Sequence, residues 1–134
     1  MRELAVSDLQ GKSISRAMAV KYQSGDDHGP TGGLELLLKG GGSLLLWPGA
    51  DLLLRVSEGL WPEVPDWCWP PEDWSFESVE WIGEADLDEI VSASEVYDEM
   101  GELFGVCIEL PAGSLTVKVV DTVTWEIVRS PRTD

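Results

Sequence analysis

Leu34-Glu-Leu-Leu-Leu-Lys-Gly-Gly-Gly-Ser-Leu-Leu-Leu-Trp47 decides how this chain folds. Leucine blocks favour helix by intrinsic propensity, and leucine-rich strands run against β preference. The three consecutive glycines settle the matter, because they supply the positive φ angles of a tight reversal and break a helix. The stretch therefore reads as a hairpin, Leu34–Leu38 against Leu44–Trp47, turning through Lys39–Ser43. Pro48-Gly49-Ala50 makes a second turn, and Asp51–Ser57 a further strand with Leu52, Leu54 and Val56 facing one way. Leu36–Leu38, Leu44–Leu46 and Leu52–Leu54 are apolar on both faces, which predicts three central strands covered on both sides.

Upstream, Ser13–Tyr22 carries Ile14, Met18, Val20 and Tyr22 at period-two spacing, interrupted at Arg16, and reads as the first strand. Gln23–Gly33 is polar and glycine-rich, which predicts a mobile loop. His28 falls in it, as a solvated residue rather than a catalyst or ligand.

Downstream, Leu60-Trp-Pro-Glu-Val-Pro-Asp-Trp-Cys-Trp-Pro-Pro-Glu-Asp-Trp74 holds four of the seven tryptophans and four of the eight prolines. Proline neither donates to a sheet ladder nor continues a helix, so an extended segment near polyproline II is expected, wrapping the sheet as a lid. Phe76–Ile82 alternates as a strand. Ala85–Glu89 is expected to form a short turn of helix leading into another strand. Asp98-Glu-Met-Gly101 has the form of a type I turn closed by a left-handed glycine. Leu103–Leu110, Ser114–Val119 and Thr122–Ile127 then alternate as an antiparallel meander, and Ser130–Asp134 reads as a frayed end. The sum is one domain over residues 1–134, mainly β, of about eight strands with little helix. They are expected to form a rolled sheet, an open barrel or a sandwich carrying the tryptophan/proline lid.

Charge is concentrated. Between Val56 and Val117 there is no Lys or Arg and there are sixteen acids, while the remaining nine acids match the nine bases. The whole formal charge of −16 thus resides in one segment. Phosphate affinity comes from cationic side chains, so nucleic acid is excluded as a partner of this surface. A concentrated anionic field instead steers basic surfaces into contact. The acidic start of the chain and the lack of any apolar run of roughly 18 residues speak against a leader or a membrane span, and predict a cytoplasmic protein. In that compartment Cys68 and Cys107 are expected to be reduced thiols.

No catalytic or cofactor signature stands out. Two cysteines and one histidine far apart in the chain do not make a zinc site. A Ser or Cys nucleophile would need a histidine base, and the single histidine sits in the presumed loop. Lys39 precedes the glycines between two strands, the reverse of a phosphate cradle. Paired carboxylates beside an aromatic surface, as in a glycosidase cleft, are the one catalytic route left, and with so many acids such proximity arises by chance. The expectation is a non-enzyme without cofactor or metal.

Trp47, Trp81 and Trp125 lie in or beside strands and read as core or sheet-covering residues. Trp61, Trp67, Trp69 and Trp74 do not all fit inward from one segment, and with Glu63, Asp66, Glu72 and Asp73 they form the candidate binding surface. An exposed indole flanked by acids suits an arginine-bearing or proline-rich partner. In size, acidity and aromatic content the chain is similar to the small acidic immunity proteins with which bacteria block basic toxins. That likeness implies a basic protein partner, a toxin among the candidates, held by charge and shape. Two other classes remain open: a small-ligand carrier that stacks a sugar or aromatic ring on tryptophan, and a self-associating structural subunit.

Overall fold

The computed structural model describes residues 2–49, 51, 53–79 and 89–129. Over these residues the chain is mainly β, with nine strands: β1 (Ile14–Ser24), β2 (Asp27–Leu38), β3 (Ser43–Pro48), β4 (Leu54–Glu58), β5 (Trp74–Val79), β6 (Ser92–Tyr97), β7 (Leu103–Leu110), β8 (Gly113–Val120) and β9 (Thr122–Arg129). Helix among the described residues is limited to 3-10 turns at Val6–Leu9 and Pro71–Asp73. None is long and apolar enough to cross a membrane. The strands form two antiparallel sheets, in the orders β4-β3-β2-β1-β5 and β6-β7-β8-β9. Leu34, Leu36, Leu46 and Val56 of the first sheet share one buried cluster with Val106, Ile108, Leu115 and Val117 of the second, so the sheets face each other as a sandwich. At roughly 1.5–3 kcal/mol for each fully buried aliphatic side chain, this shared core is the main driving force for the fold.

The leucine hairpin forms as its glycines dictate. Leu34 pairs with Leu46 and Leu36 with Leu44, and Gly40, Gly41 and Gly42 take φ of +87°, +111° and +81°. Leu44 and Leu46 enter the sandwich core while Leu45 joins a second cluster on the outer face, so β3 is covered on both sides. β4 departs from the expected central position and lies at the edge of its sheet. The N-terminal chain borders it there, with Leu4 N–H donating to Val56 O at 2.8 Å and Glu58 N–H to Arg2 O at 2.7 Å.

Two readings of the β1–β2 region need correction. Ile14 and Val20 fall on opposite faces, in the inner and outer clusters respectively, because a register shift breaks the alternation of β1 between Ile14 and Arg16. The expected loop over Gln23–Gly33 is instead the closed end of the β1–β2 hairpin, with Ser24 paired to Asp27, His28 opposite Gln23 and Val20 opposite Gly33. Gly29 and Gly32 of β2 serve close packing. A Cβ on Gly29 would strike the Tyr22 ring, and one on Gly32 would sit 2.7 Å from Trp74 and 2.8 Å from Trp67. Composition could not distinguish glycine that loosens a chain from glycine that makes room for a ring.

The second sheet is the expected meander. Leu115, Val117 and Val119 are buried while Ser114, Thr116 and Lys118 are only half-buried, the alternation of a strand covered on one face. The β6–β7 turn is the one read from sequence: Gly101 takes φ +77°, and Gly101 N–H donates to Asp98 O at 3.0 Å. Asp98 Oδ1 accepts from the N–H groups of Met100 at 2.8 Å and Glu102 at 3.0 Å. Removing both bonds should cost about 1–2 kcal/mol, so Asp98→Ala is expected to lower the urea midpoint without changing its slope. An unchanged midpoint would show that the turn is held by glycine alone.

Trp81, Ile82, Ala85 and Ser130–Asp134 lie outside the described residues, and with them the expected helical turn except for Glu89, which bridges to Ser13.

Candidate functional site

Topology makes the tryptophan/proline stretch a crossover. β4 and β5 occupy opposite edges of the five-stranded sheet, so the intervening residues must travel past β3, β2 and β1. The inner face is occupied by the second sheet. The chain therefore crosses the outer face, where Cys68, Val64 and Trp67 pack with Val20, Leu45, Trp47, Trp74 and Phe76.

The backbone of this crossover differs from the expected polyproline path. It folds into successive turns in which Glu63 N–H donates to Leu60 O at 2.8 Å, Cys68 N–H to Pro65 O at 3.0 Å and Asp73 N–H to Pro70 O at 3.0 Å. The Trp61–Pro62 and Trp69–Pro70 bonds are cis. Proline fixes φ near the value a turn requires, and frequent proline with small spacing yields turns rather than one long extended run.

The turns sort the indoles. Trp67 stacks on Trp47 at 5.7 Å and meets the edge of Trp74 at 5.6 Å, and Trp74 in turn meets Tyr22 at 5.4 Å. Trp61 is 38% exposed and sits edge-on to Phe76 at 4.7 Å. Trp69 points outward, 79% exposed, while its carbonyl accepts a long bond from Trp74 Nε1 at 3.5 Å. Glu63, Asp66 and Glu72 are exposed and Asp73 is half-buried. Among the described residues none of these four acids forms an ion pair; the pairs present are Arg2–Glu58, Arg55–Glu3 and Arg55–Asp51. Of the eight residues singled out by sequence, then, Trp61, Glu63, Asp66, Trp69, Glu72 and Asp73 reach the surface, whereas Trp67 and Trp74 hold the crossover to the sheet. An open cleft of about 350 Å³ runs from Gln23 and Gly25 to Glu72, Asp73 and Trp74.

Beneath the crossover lies a residue that the sequence reading passed over. Glu35, in the middle strand of its sheet, is 0% exposed. Its Oε2 accepts from Ser43 Oγ at 2.8 Å and from Trp61 N–H at 3.2 Å. Its Oε1 has no hydrogen-bond partner, and neither has the buried Trp67 Nε1. Burial raises the Glu35 pKa, an effect only partly opposed by the Ser43 and Trp61 hydrogen bonds. Gly59 lets the chain begin its crossing directly above, since a Cβ there would meet Ser43 Oγ and Glu35. One signal was available: Glu35 is the lone charge within Leu34–Leu38, a run apolar on both faces.

The two thiols are free, Cys68 in the crossover and Cys107 on β7 of the second sheet. Cys68 is the crossover's buried residue against the sheet, and burial, then the Glu35 charge, push its pKa up to about 12. Among the described residues no group of three or more His, Cys, Asp or Glu side chains is placed to hold a metal ion. What this arrangement offers chemically is an aromatic, anionic outer surface over a buried carboxyl. No protein-family model matches this chain, and no curated protein or solved structure is significantly similar to it.

Proposed function

We propose that this chain is a non-enzymatic protein-binding module whose crossover neutralises a basic protein partner, in the manner of the small acidic immunity proteins. The observation that supports this reading is Trp69, a large indole left 79% exposed beside the unpaired acids of a segment without a single Lys or Arg. An indole face attracts guanidinium groups, and flanking carboxylates steer them to it. Catalysis needs no part in such a role. Charge and shape block a partner by occupying its surface.

The test is capture of a basic protein from the host, repeated with Trp69→Ala and Glu72→Lys. Both positions are exposed, so both variants should fold. Loss of a central aromatic anchor is expected to weaken binding about 30-fold, or roughly 2 kcal/mol. Raising salt from about 50 to about 500 mM should weaken it further, because exposed charges are screened. Binding indifferent to salt and to Trp69 would refute the reading.

A second reading has its own observation. Between β1, β5 and β9 an open cleft of about 420 Å³ is lined by Lys21, Glu77, Val79 and Trp125. Its size suits a sugar or aromatic ring stacked on Trp125, with Lys21 and Glu77 fixing its orientation. Binding there would survive Trp69→Ala and be lost with Trp125→Ala.

A further inference from the structure

We propose that the crossover from Gly59 to Asp73 is a proton-controlled strap, closed on the sheet while the Glu35 carboxyl is neutral and lifting as a unit when that carboxyl ionises. The proposal concerns the strap's own equilibrium and does not depend on any partner.

Around Glu35 the apolar burial that favours the neutral form outweighs two hydrogen bonds that favour the charged one. Its cross-strand neighbours are Met18 on β1 and Leu45 on β3, both buried and apolar. From β3 comes the Ser43 hydroxyl, and from the strap the Trp61 N–H, both directed at one oxygen. The titratable group facing it from the strap is the Cys68 thiol, which carries no positive charge. Among the described residues no Lys or Arg pairs with Glu35. A carboxylate has about four acceptor sites and uses two here, so ionisation leaves a buried charge only partly satisfied.

The strap is also less deeply packed than the sandwich core. Three buried residues, Val20, Leu45 and Cys68, form the cluster beneath it, against eighteen in the sandwich core. Both Glu35 Oε1 and Trp67 Nε1 lack partners in the closed form, and lifting the strap gives both to water. Local opening follows such weakly packed, under-satisfied segments before the core is breached.

The direction with pH follows by linkage. The closed-state pKa of Glu35 is raised above 4.5, so the closed form binds more protons than the open form. Closure is therefore fully favoured below about pH 4.5 and is lost progressively up to the raised pKa, the opening constant growing up to about ten-fold per pH unit in that window.

Cys68 is a reporter built into the strap. In a Cys107→Ser background it is the sole thiol, and its reaction with a dipyridyl disulfide, normalised to the denatured chain at each pH, measures opening. Protection is expected to fall with rising pH above about 4.5, by up to about ten-fold per pH unit, in this background, and to stay constant once Glu35→Gln is added. A flat profile before that change, or parallel profiles with and without it, would overturn the proposal. Amide exchange in the parent gives a second measure that needs no Glu35 variant to fold. After correction for intrinsic rates, the Trp61, Glu63 and Cys68 N–H groups should lose protection with rising pH while Val117 in the core keeps it. Parallel loss at Val117 would mean global rather than strap opening, and would equally overturn it.

Discussion

Gly32→Ala is expected to destabilise the protein by about 2 kcal/mol, the usual scale of an overpacked site. A methyl group there would lie 2.7 Å from the Trp74 ring and 2.8 Å from the Trp67 ring, inside van der Waals contact with both. Neither ring can yield alone. Trp67 is stacked on Trp47 and abuts Trp74, and Trp74 is held against Tyr22. The strain must pass into the crossover, so the indole emission should shift to the red as the rings separate from the sheet. Gly41→Ala is the control: with φ +111° and nothing within 4 Å, its cost is backbone strain of about 1 kcal/mol with no change in emission. Urea unfolding followed by circular dichroism and by fluorescence separates the two. If Gly32→Ala matches the parent in both, the glycines of β2 are not there to admit the rings.

That glycine pair shows why the sequence was legible in one place and not in another. At Gly40–Gly42 the flanking leucine blocks repeat at a hairpin's spacing, and positive φ was the natural inference; the turn forms so. At Gly29, Gly32 and Gly33 the neighbours are polar, and the partners that explain them, Tyr22, Trp67, Trp74 and Leu45, lie up to about forty residues away. The local meander from Leu103 to Ile127 was read correctly because each strand pairs with the next. The return of β5 to the side of β1 was invisible, since no local pattern encodes a pairing such as Tyr22 with Trp74. The candidate surface was half legible for the same reason. Its charge and its indoles are composition, but which indoles turn inward depends on turns at Leu60–Glu63 and Pro65–Cys68 and on the face they cross. Glu35 stayed hidden because nothing in Leu-Glu-Leu-Leu-Leu says that fifteen residues from another part of the chain close over it.

Two adjacent leucines should report separately on the two layers. Leu46→Ala is expected to cost about 3–4 kcal/mol, transfer and cavity together, because Leu46 is fully buried in the sandwich core. In a domain of ordinary stability that is a large share of the total, and it should appear as a much lower urea midpoint with an unchanged slope. Leu45 is equally buried but faces the other way, beneath Cys68 and beside Glu35. Leu45→Ala removes packing that only the closed strap enjoys, so about 2 kcal/mol of its cost should fall on strap closure and quicken Cys68 labelling about 30-fold under native conditions. Leu46→Ala should leave that labelling near the parent rate until the whole domain unfolds, since the strap does not touch the inner face. The contrast depends on residues one position apart having opposite partners, which is what the period of a strand provides. Equal acceleration of Cys68 labelling by both substitutions would mean that the crossover and the sandwich unfold together as one cooperative unit.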